Sequence, residues 1–131
     1  MTTPSASDRF LVDSSGWVEY LGNGPKAERF ASYFESQATL LLPTIVIYEV
    51  HKKLQREKGN IVAMDFLSQA FSYGDRVIQL TLDLAVLASQ ASSAFSLPMA
   101  DAIIYATAQH FQAQLVTGDA HFANLPRVTL I

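Results

Sequence analysis

The sequence predicts an α/β fold: a three-layer α/β/α sandwich with a central parallel sheet of about five strands. Short apolar runs alternate along the chain with longer segments of helical periodicity, which is the pattern of a parallel sheet covered by helices on both faces. The chain has 131 residues, of which 50% are hydrophobic, enough for one domain with a core of ordinary size. It contains no cysteine, so we expect neither disulfides nor thiolate metal sites.

Five apolar runs are interpreted as strands, the last of them at an edge of the sheet. In chain order they are 9–13, 39–43, 76–81, 114–119 and 128–131. Six helices are predicted at 14–22, 25–36, 44–59, 60–73, 82–95 and from about residue 98. Proline suits a first helical turn, as at Pro25 and Pro98, and glycine ends a helix, as at Gly22, Gly59 and Gly74. The third predicted helix begins with β-branched residues, so a strand is the alternative for 44–48.

Residues 9–131 are predicted to form a single domain, and residues 1–8, MTTPSASD, a flexible N-terminal tail. The tail has neither the basic region nor the apolar stretch of a secretory signal. No apolar run approaches the roughly 20 residues of a transmembrane helix. We therefore expect a cytoplasmic protein with no membrane contact.

The formal net charge is −3 and only 16% of the residues are charged. Proteins that bind nucleic acid through backbone electrostatics are usually basic, so this chain is not an obvious binder of that kind. An acidic pocket can nevertheless act on a polyanion when a bound metal ion supplies the local positive charge.

Four acidic side chains are predicted to meet at one edge of the sheet. Asp13 ends the first predicted strand, Asp119 ends the fourth, and Glu49 lies one or two turns into the helix after the second. In a parallel α/β sheet, strand ends and the starts of the following helices share one edge. Asp101 lies in the first turns of the helix that precedes the fourth strand. Because a crossover helix runs antiparallel to its strands, that start also lies at this edge.

Asp101 is the least expected of the four acids. Residues 84–118 contain no other Asp, Glu, Lys or Arg. A carboxylate in so apolar a segment costs several kcal/mol unless it is compensated. It should therefore be protonated, paired with a distant Arg or Lys, or bound to a metal ion.

The other three acids each have a purely structural explanation as well. Asp13, before two serines, suits a helix N-cap. Asp119 follows a glycine and suits a turn. Glu49 is four residues before Lys53, the favourable order for a surface ion pair.

The metal interpretation accounts for all four acids together. Clustered carboxylates repel one another, and a divalent ion relieves that repulsion. With no cysteine, and no histidine expected among the acids, oxygen ligands favour Mg²⁺ or Mn²⁺. Such an ion can activate water and stabilise charge on a phosphoryl oxygen, which indicates phosphodiester hydrolysis. His121, close to Asp119, is a minor candidate for a general base.

Four segments contain these acids in order: FLVDSSGWVEYL, LPTIVIYEV, LPMADAIIYATA and LVTGDAHFANLPRV. Together they strongly resemble the PIN domain, in particular the VapC-type toxins of bacterial and archaeal toxin–antitoxin pairs. The resemblance extends from about Arg9 to Ile131. The segments around Asp101 and Asp119 are the most specific, and the segment around Glu49 is the least distinctive.

The resemblance implies a Mg²⁺- or Mn²⁺-dependent ribonuclease acting on RNA, a homodimer, and inhibition by a cognate antitoxin protein. The family's four acids correspond in order to Asp13, Glu49, Asp101 and Asp119. Ser14 falls where the family has Ser or Thr after the first acid. Thr117 falls where a hydroxyl or small polar residue often supports the fourth.

The helix that contains Glu49 is also basic, with Lys52, Lys53, Arg56 and Lys58 in sequence. The ordinary interpretation is a solvated helix face. The functional one is phosphate contact beside the acids, for which Lys53 and Arg56 are best placed.

Two other functions fit an acidic pocket on this fold. One is a non-catalytic binding or regulatory α/β module, such as a phospho-receiver-like domain. That module would have paired acids after the first strand and a lysine at the end of the last, whereas Asp13 precedes serines and no lysine follows Lys58. The other is a PIN-like protein without catalysis, and the complete set of four acids argues against it.

Overall fold

The structure is a computed structural model that describes residues 4–5 and 7–131. The predicted N-terminal tail, 1–8, lies partly outside the described residues and stays a prediction. Every helix within the described ranges falls short of the length or the apolar character that a membrane crossing requires.

The sheet confirms the predicted parallel α/β architecture. Its five strands are β1 (Arg9–Val12), β2 (Thr39–Pro43), β3 (Val77–Ile78), β4 (Gln114–Thr117) and β5 (Val128–Leu130). They lie in the order β3-β2-β1-β4-β5, and every neighbouring pair is parallel. The last strand is at an edge, as expected. The side chains of Leu11, Leu42 and Leu115, on the three central strands, are fully buried.

The third strand is much shorter than predicted. The apolar run 76–81 suggested six residues, but only Val77 and Ile78 pair with β2, opposite Leu42 and Pro43. Pro43 is the last residue of β2, and the chain turns into a helix at Thr44. Residues 79–81 therefore have no β2 backbone to pair with.

Six helices flank the sheet: α1 (Ser14–Leu21), α2 (Ala27–Phe34), α3 (Thr44–Lys58), α4 (Asn60–Phe71), α5 (Leu82–Phe95) and α6 (Met99–His110). The alternative that residues 44–48 form a strand is wrong, because those residues form the start of α3. Val46, Val50 and Leu54 recur every four residues on its buried face, and burial of that stripe explains why β-branched residues are helical here.

The helix α1 lies unusually close to β1 and α2. A Cβ atom added at Gly16 would lie 2.6 Å from Phe30 Cε1 and would also overlap Val12. Trp17, the next residue, packs edge-on against Phe34 and Phe66 at centroid distances of 4.5 and 5.3 Å. Glycine thus permits the close approach and the aromatic contacts hold α1 in place, which fixes the N-terminus of α1 at the end of β1.

Candidate metal and catalytic site

Asp13 lies between the end of β1 and the start of α1, and only 3% of its surface is exposed. It is the N-cap of α1: its Oδ1 accepts hydrogen bonds from the Gly16 amide at 3.3 Å and from Ser15 Oγ at 2.7 Å. The N-cap explanation is therefore confirmed. The cap uses only Oδ1. The other carboxylate oxygen, Oδ2, accepts a hydrogen bond from Thr117 Oγ1 at 2.8 Å.

Thr117 joins the first acid to the fourth. Its buried hydroxyl donates to Asp13 and accepts from the Asp119 backbone amide at 2.9 Å. Asp119 in turn begins a 3₁₀ turn at Ala120–Phe122, and its Oδ1 accepts from the His121 amide at 2.9 Å. The turn explanation for Asp119 is confirmed, and the same contacts fix its carboxylate close to the end of β4.

Glu49 lies in the second turn of α3, where the sequence predicted it. Its Oε1 accepts a hydrogen bond from Ser14 Oγ at 2.9 Å, so α1 and α3 are joined beside Asp13. Within residues 4–5 and 7–131 no ion pair joins Glu49 to Lys53, whose ammonium lies 4.0 Å from Glu57 instead. The structural explanation of Glu49 as half of a surface ion pair is therefore wrong.

Asp101 lies in the first turn of α6, and its carboxylate reaches the residues that follow β4. Its Oδ2 is 3.2 Å from Nδ1 of His121, whose ring is also 3.4 Å from Asp119 Oδ1. The start of the crossover helix thus meets the strand ends, as its antiparallel direction predicted. Neither Arg nor Lys pairs with Asp101 in the described part of the chain; its partner is a histidine.

The grouping differs from the expected one in two ways. Asp101, Asp119 and His121 each offer a ligand atom within 4.8 Å of the others, which suits a metal ion. Asp13 and Glu49 lie outside this group. The Thr117 hydroxyl links Asp13 to the Asp119 amide, and Glu49 accepts from Ser14, the residue after Asp13. The expectation of no histidine among the acids is also wrong, because the tight turn after β4 returns residue 121 to the carboxylates.

Burial and mutual repulsion disfavour ionisation of two acids in the absence of metal. Burial raises the pKa of the Asp13 carboxyl to about 6, against the opposing effect of its hydrogen bonds from Ser15, Thr117 and Gly16. Burial, and next the charge of Asp119, raise the pKa of Asp101, while His121 lowers it. A cation among these groups would favour their charged forms. The donor set, carboxylate oxygens with one imidazole, fits a divalent ion.

A model of the PIN domain matches residues 10–128, which is most of the chain. The chain belongs to the PIN domain family. No curated protein matches the chain.

Solved structures share the fold of this PIN domain at low sequence identity. A toxin–antitoxin complex from Klebsiella pneumoniae superposes with a TM-score of 0.73 at 22% identity, over 91% of this chain and 94% of that one. DNA-bound VapBC from Salmonella typhimurium superposes with a TM-score of 0.70 at 15% identity, over 95% of this chain and 97% of that one. VapC20 of Mycobacterium tuberculosis, a sarcin–ricin loop cleaving toxin, superposes with a TM-score of 0.65 at 19% identity, over 83% of this chain and 87% of that one.

A groove of about 310 Å³ lies beside Glu49 in this PIN domain. It is lined by Ser14, Ser15, Val18, Tyr48, Glu49, Lys52, Lys53 and Arg56. The Lys52 ammonium lies 5.6 Å from the centre of the Tyr48 ring. Arg56 and Lys53 both approach Glu57, at 3.1 and 4.0 Å, so their charge is partly balanced at an exposed surface. The residues that line the groove thus include one acid, Glu49, and three cations.

Ser15 is a member of the site that the sequence pattern did not indicate. Its hydroxyl donates to Asp13 and accepts from the Gly118 amide at 3.1 Å, a second link between the starts of α1 and the end of β4. Only its place two residues after Asp13 could have indicated this, and serine is common there for local capping alone.

Replacing Thr117 by Val should destabilise the protein by about 1–3 kcal/mol, the usual cost of leaving buried polar groups unpaired. Valine keeps the volume but removes both the donor to Asp13 and the acceptor for the Asp119 amide. Urea unfolding followed by far-UV circular dichroism measures the change. Thr117→Ser keeps the hydroxyl and should recover most of the loss; equal effects of Val and Ser would contradict the role of that hydroxyl.

Proposed function

We propose that this PIN domain is a metal-dependent endoribonuclease that acts as the toxin of a toxin–antitoxin pair. The observation that supports this most strongly is the group of Asp101, Asp119 and His121 at the carboxyl edge of the sheet, to which the Thr117 hydroxyl links Asp13. The similarity of the fold to VapC20 and to two toxin–antitoxin assemblies supports the same proposal.

The proposed metal ligands are Asp13, Glu49, Asp101 and Asp119, with Mg²⁺ or Mn²⁺ as the ion. When bound, such an ion activates water and stabilises charge on a phosphoryl oxygen. Ser14 holds the Glu49 carboxylate, and Thr117 holds Asp13 and the backbone of Asp119. These hydroxyls fix the acids before metal arrives, which limits the reorganisation needed on binding.

The groove beside Glu49 is the proposed path of the RNA backbone. Lys53 and Arg56 are the proposed phosphate contacts, because both line the groove that also contains Glu49. Their ion contacts with Glu57 are exposed, and an exposed pair of this kind is worth little, so a phosphate can replace Glu57 at small cost. The ordinary interpretation of a solvated helix face remains the alternative for these two residues.

We also propose a cognate antitoxin partner, a homodimer and a cytoplasmic location. Large apolar side chains are exposed on α4 and α5, among them Ile61, Phe71 and Leu82, each at least 80% exposed. Exposed apolar surface of this kind favours contact with another protein.

The proposed activity predicts that the purified chain cleaves a structured RNA in the presence of Mg²⁺ or Mn²⁺. Cleavage should stop in EDTA and return when the metal ion is restored in excess, because a bound ion would activate the attacking water. Gel electrophoresis of an end-labelled RNA measures the fragments.

Equal cleavage with and without EDTA would contradict metal dependence. The alternative, a non-catalytic binding module, would bind divalent ions and produce no fragments under any of these conditions. A preparation that binds metal but leaves the RNA intact would therefore favour the alternative.

A further inference from the structure

We propose that His121 is a ligand of the metal site and that its imidazole gives the site a preference for Mn²⁺, a first-row transition ion, over Mg²⁺. This inference rests on the metal dependence proposed above. It assigns a nitrogen ligand to a site for which the sequence predicted oxygen ligands alone.

The distances around His121 are those expected between neighbouring ligands of one ion. Its Nδ1 lies 3.2 Å from Asp101 Oδ2 and 3.4 Å from Asp119 Oδ1. Ligands at about 2.1 Å from an octahedral ion lie about 3 Å apart at adjacent corners. The three side chains also form a group of possible metal ligands with all ligand atoms within 4.8 Å. Small side-chain rotations would therefore bring all three onto one ion.

The backbone at His121 is anchored although its side chain is exposed. The His121 amide donates to Asp119 Oδ1 at 2.9 Å, and the next side chain, Phe122, is fully buried in the core. The imidazole itself is 64% exposed, so packing does not explain its position. An exposed ring held over two carboxylates by a fixed turn is suited to binding a cation between them.

The other explanation for this geometry is a surface ion pair between His121 and Asp101. Such a pair contributes little, because solvent screens the charges of an exposed partner. It would also leave the metal selectivity of the site to the carboxylates alone. The two explanations therefore differ in a measurable quantity, the ratio of Mn²⁺ to Mg²⁺ affinity.

Ligand chemistry gives the direction of that ratio. Mg²⁺ is a hard ion that prefers oxygen ligands and keeps several waters, so an imidazole adds little to its binding. Imidazole suits first-row transition ions. Mn²⁺ is the weakest binder of that series and also takes carboxylate ligands, but it gains more from an imidazole than the harder Mg²⁺ does. Removing the imidazole should therefore weaken Mn²⁺ binding much more than Mg²⁺ binding.

Calorimetric titration of the metal-free full chain with Mn²⁺ and, separately, with Mg²⁺ tests the proposal. For His121→Gln, the ratio of Mn²⁺ to Mg²⁺ affinity should fall by a factor on the order of ten to a hundred, the range typical for loss of a group that supports a metal. His121→Asp restores an oxygen ligand and should bind Mg²⁺ more tightly than His121→Gln does. His110→Gln, at an exposed position at the end of α6, is the matched control.

Pulsed electron paramagnetic resonance of bound Mn²⁺ gives a second readout that does not depend on activity. The native chain and His110→Gln should show coupling of the ion to a ring nitrogen, and His121→Gln should not. An unchanged affinity ratio, or absence of nitrogen coupling in the native chain, would overturn the inference while leaving a carboxylate metal site intact. Failure of the native chain to bind either ion would overturn the proposed metal dependence and this inference together.

Discussion

Asp101→Asn is expected to lower the rate of RNA cleavage by about a hundredfold and to weaken metal binding with little change in fold. Asparagine keeps the shape of the side chain but removes the negative charge that faces Asp119 and His121. Loss of a charge that is costly to bury should leave the melting temperature of the metal-free protein equal or higher. Initial rates on a labelled RNA and calorimetric Mn²⁺ titration measure the two effects.

Asp83→Asn is the matched control for this variant. Asp83 also lies in the first turn of a helix, α5, but its side chain is exposed. The Asp83→Asn protein should keep native activity, because Asp83 resembles Asp101 only in its position in a first helical turn. An active Asp101→Asn protein would show that α6 contributes no essential ligand and would refute its place in the site.

The stability of the metal-free protein should fall by about 3 kcal/mol between about pH 4 and pH 7 through Asp13 alone. Burial raises the pKa of Asp13 from 3.8 to about 6, so the folded state binds the proton more tightly than the unfolded state does. This contribution is present in full below pH 4 and is lost as the pH rises through 6. Two pKa units correspond to about 3 kcal/mol.

Urea unfolding in EDTA at several pH values, for the native chain and for Asp13→Asn, isolates this contribution. Asparagine can still accept from the Gly16 amide, and it has no charge to bury. The stability of Asp13→Asn relative to the native chain should therefore rise by about 3 kcal/mol between pH 4 and pH 7. Asp75→Asn, at an exposed position, controls for the loss of one negative charge. A difference that stays constant with pH would show that the Asp13 carboxylate is not penalised by burial.

The alternation of apolar runs and helical segments was enough to predict a parallel sheet and its six helices. Local pattern sufficed because the central strands are buried on both faces and the helices along one stripe, and both patterns are visible in sequence. It failed for β3, since the length of a strand depends on how far its neighbour extends. At 44–48 the pattern predicted a helix but its β-branched residues also allowed a strand, and burial of Val46 in the helix decided the outcome.

The sequence predicted which residues belong to the candidate site better than it predicted the contacts between them. Asp101 was conspicuous because of the uncharged segment around it, and the direction of a crossover helix placed it at the correct edge. The Ser14–Glu49 and Ser15–Gly118 hydrogen bonds join residues far apart in sequence, and nothing local indicates such pairs. His121 had a signal, its spacing of two from Asp119, but the sequence alone does not give the turn that directs its ring.

The sequence by itself determined the order and type of most elements, the family, and the acids available to the site. These properties follow from local periodicity and from residue chemistry, which are present in the unfolded chain. Only the tertiary structure decided that Asp101, Asp119 and His121 form the tight group, that Thr117 links Asp13 to it, and that Glu49 is held by Ser14. Such groupings depend on strand order and on the close approach of α1 at Gly16, because distances between side chains are set by packing of the whole domain.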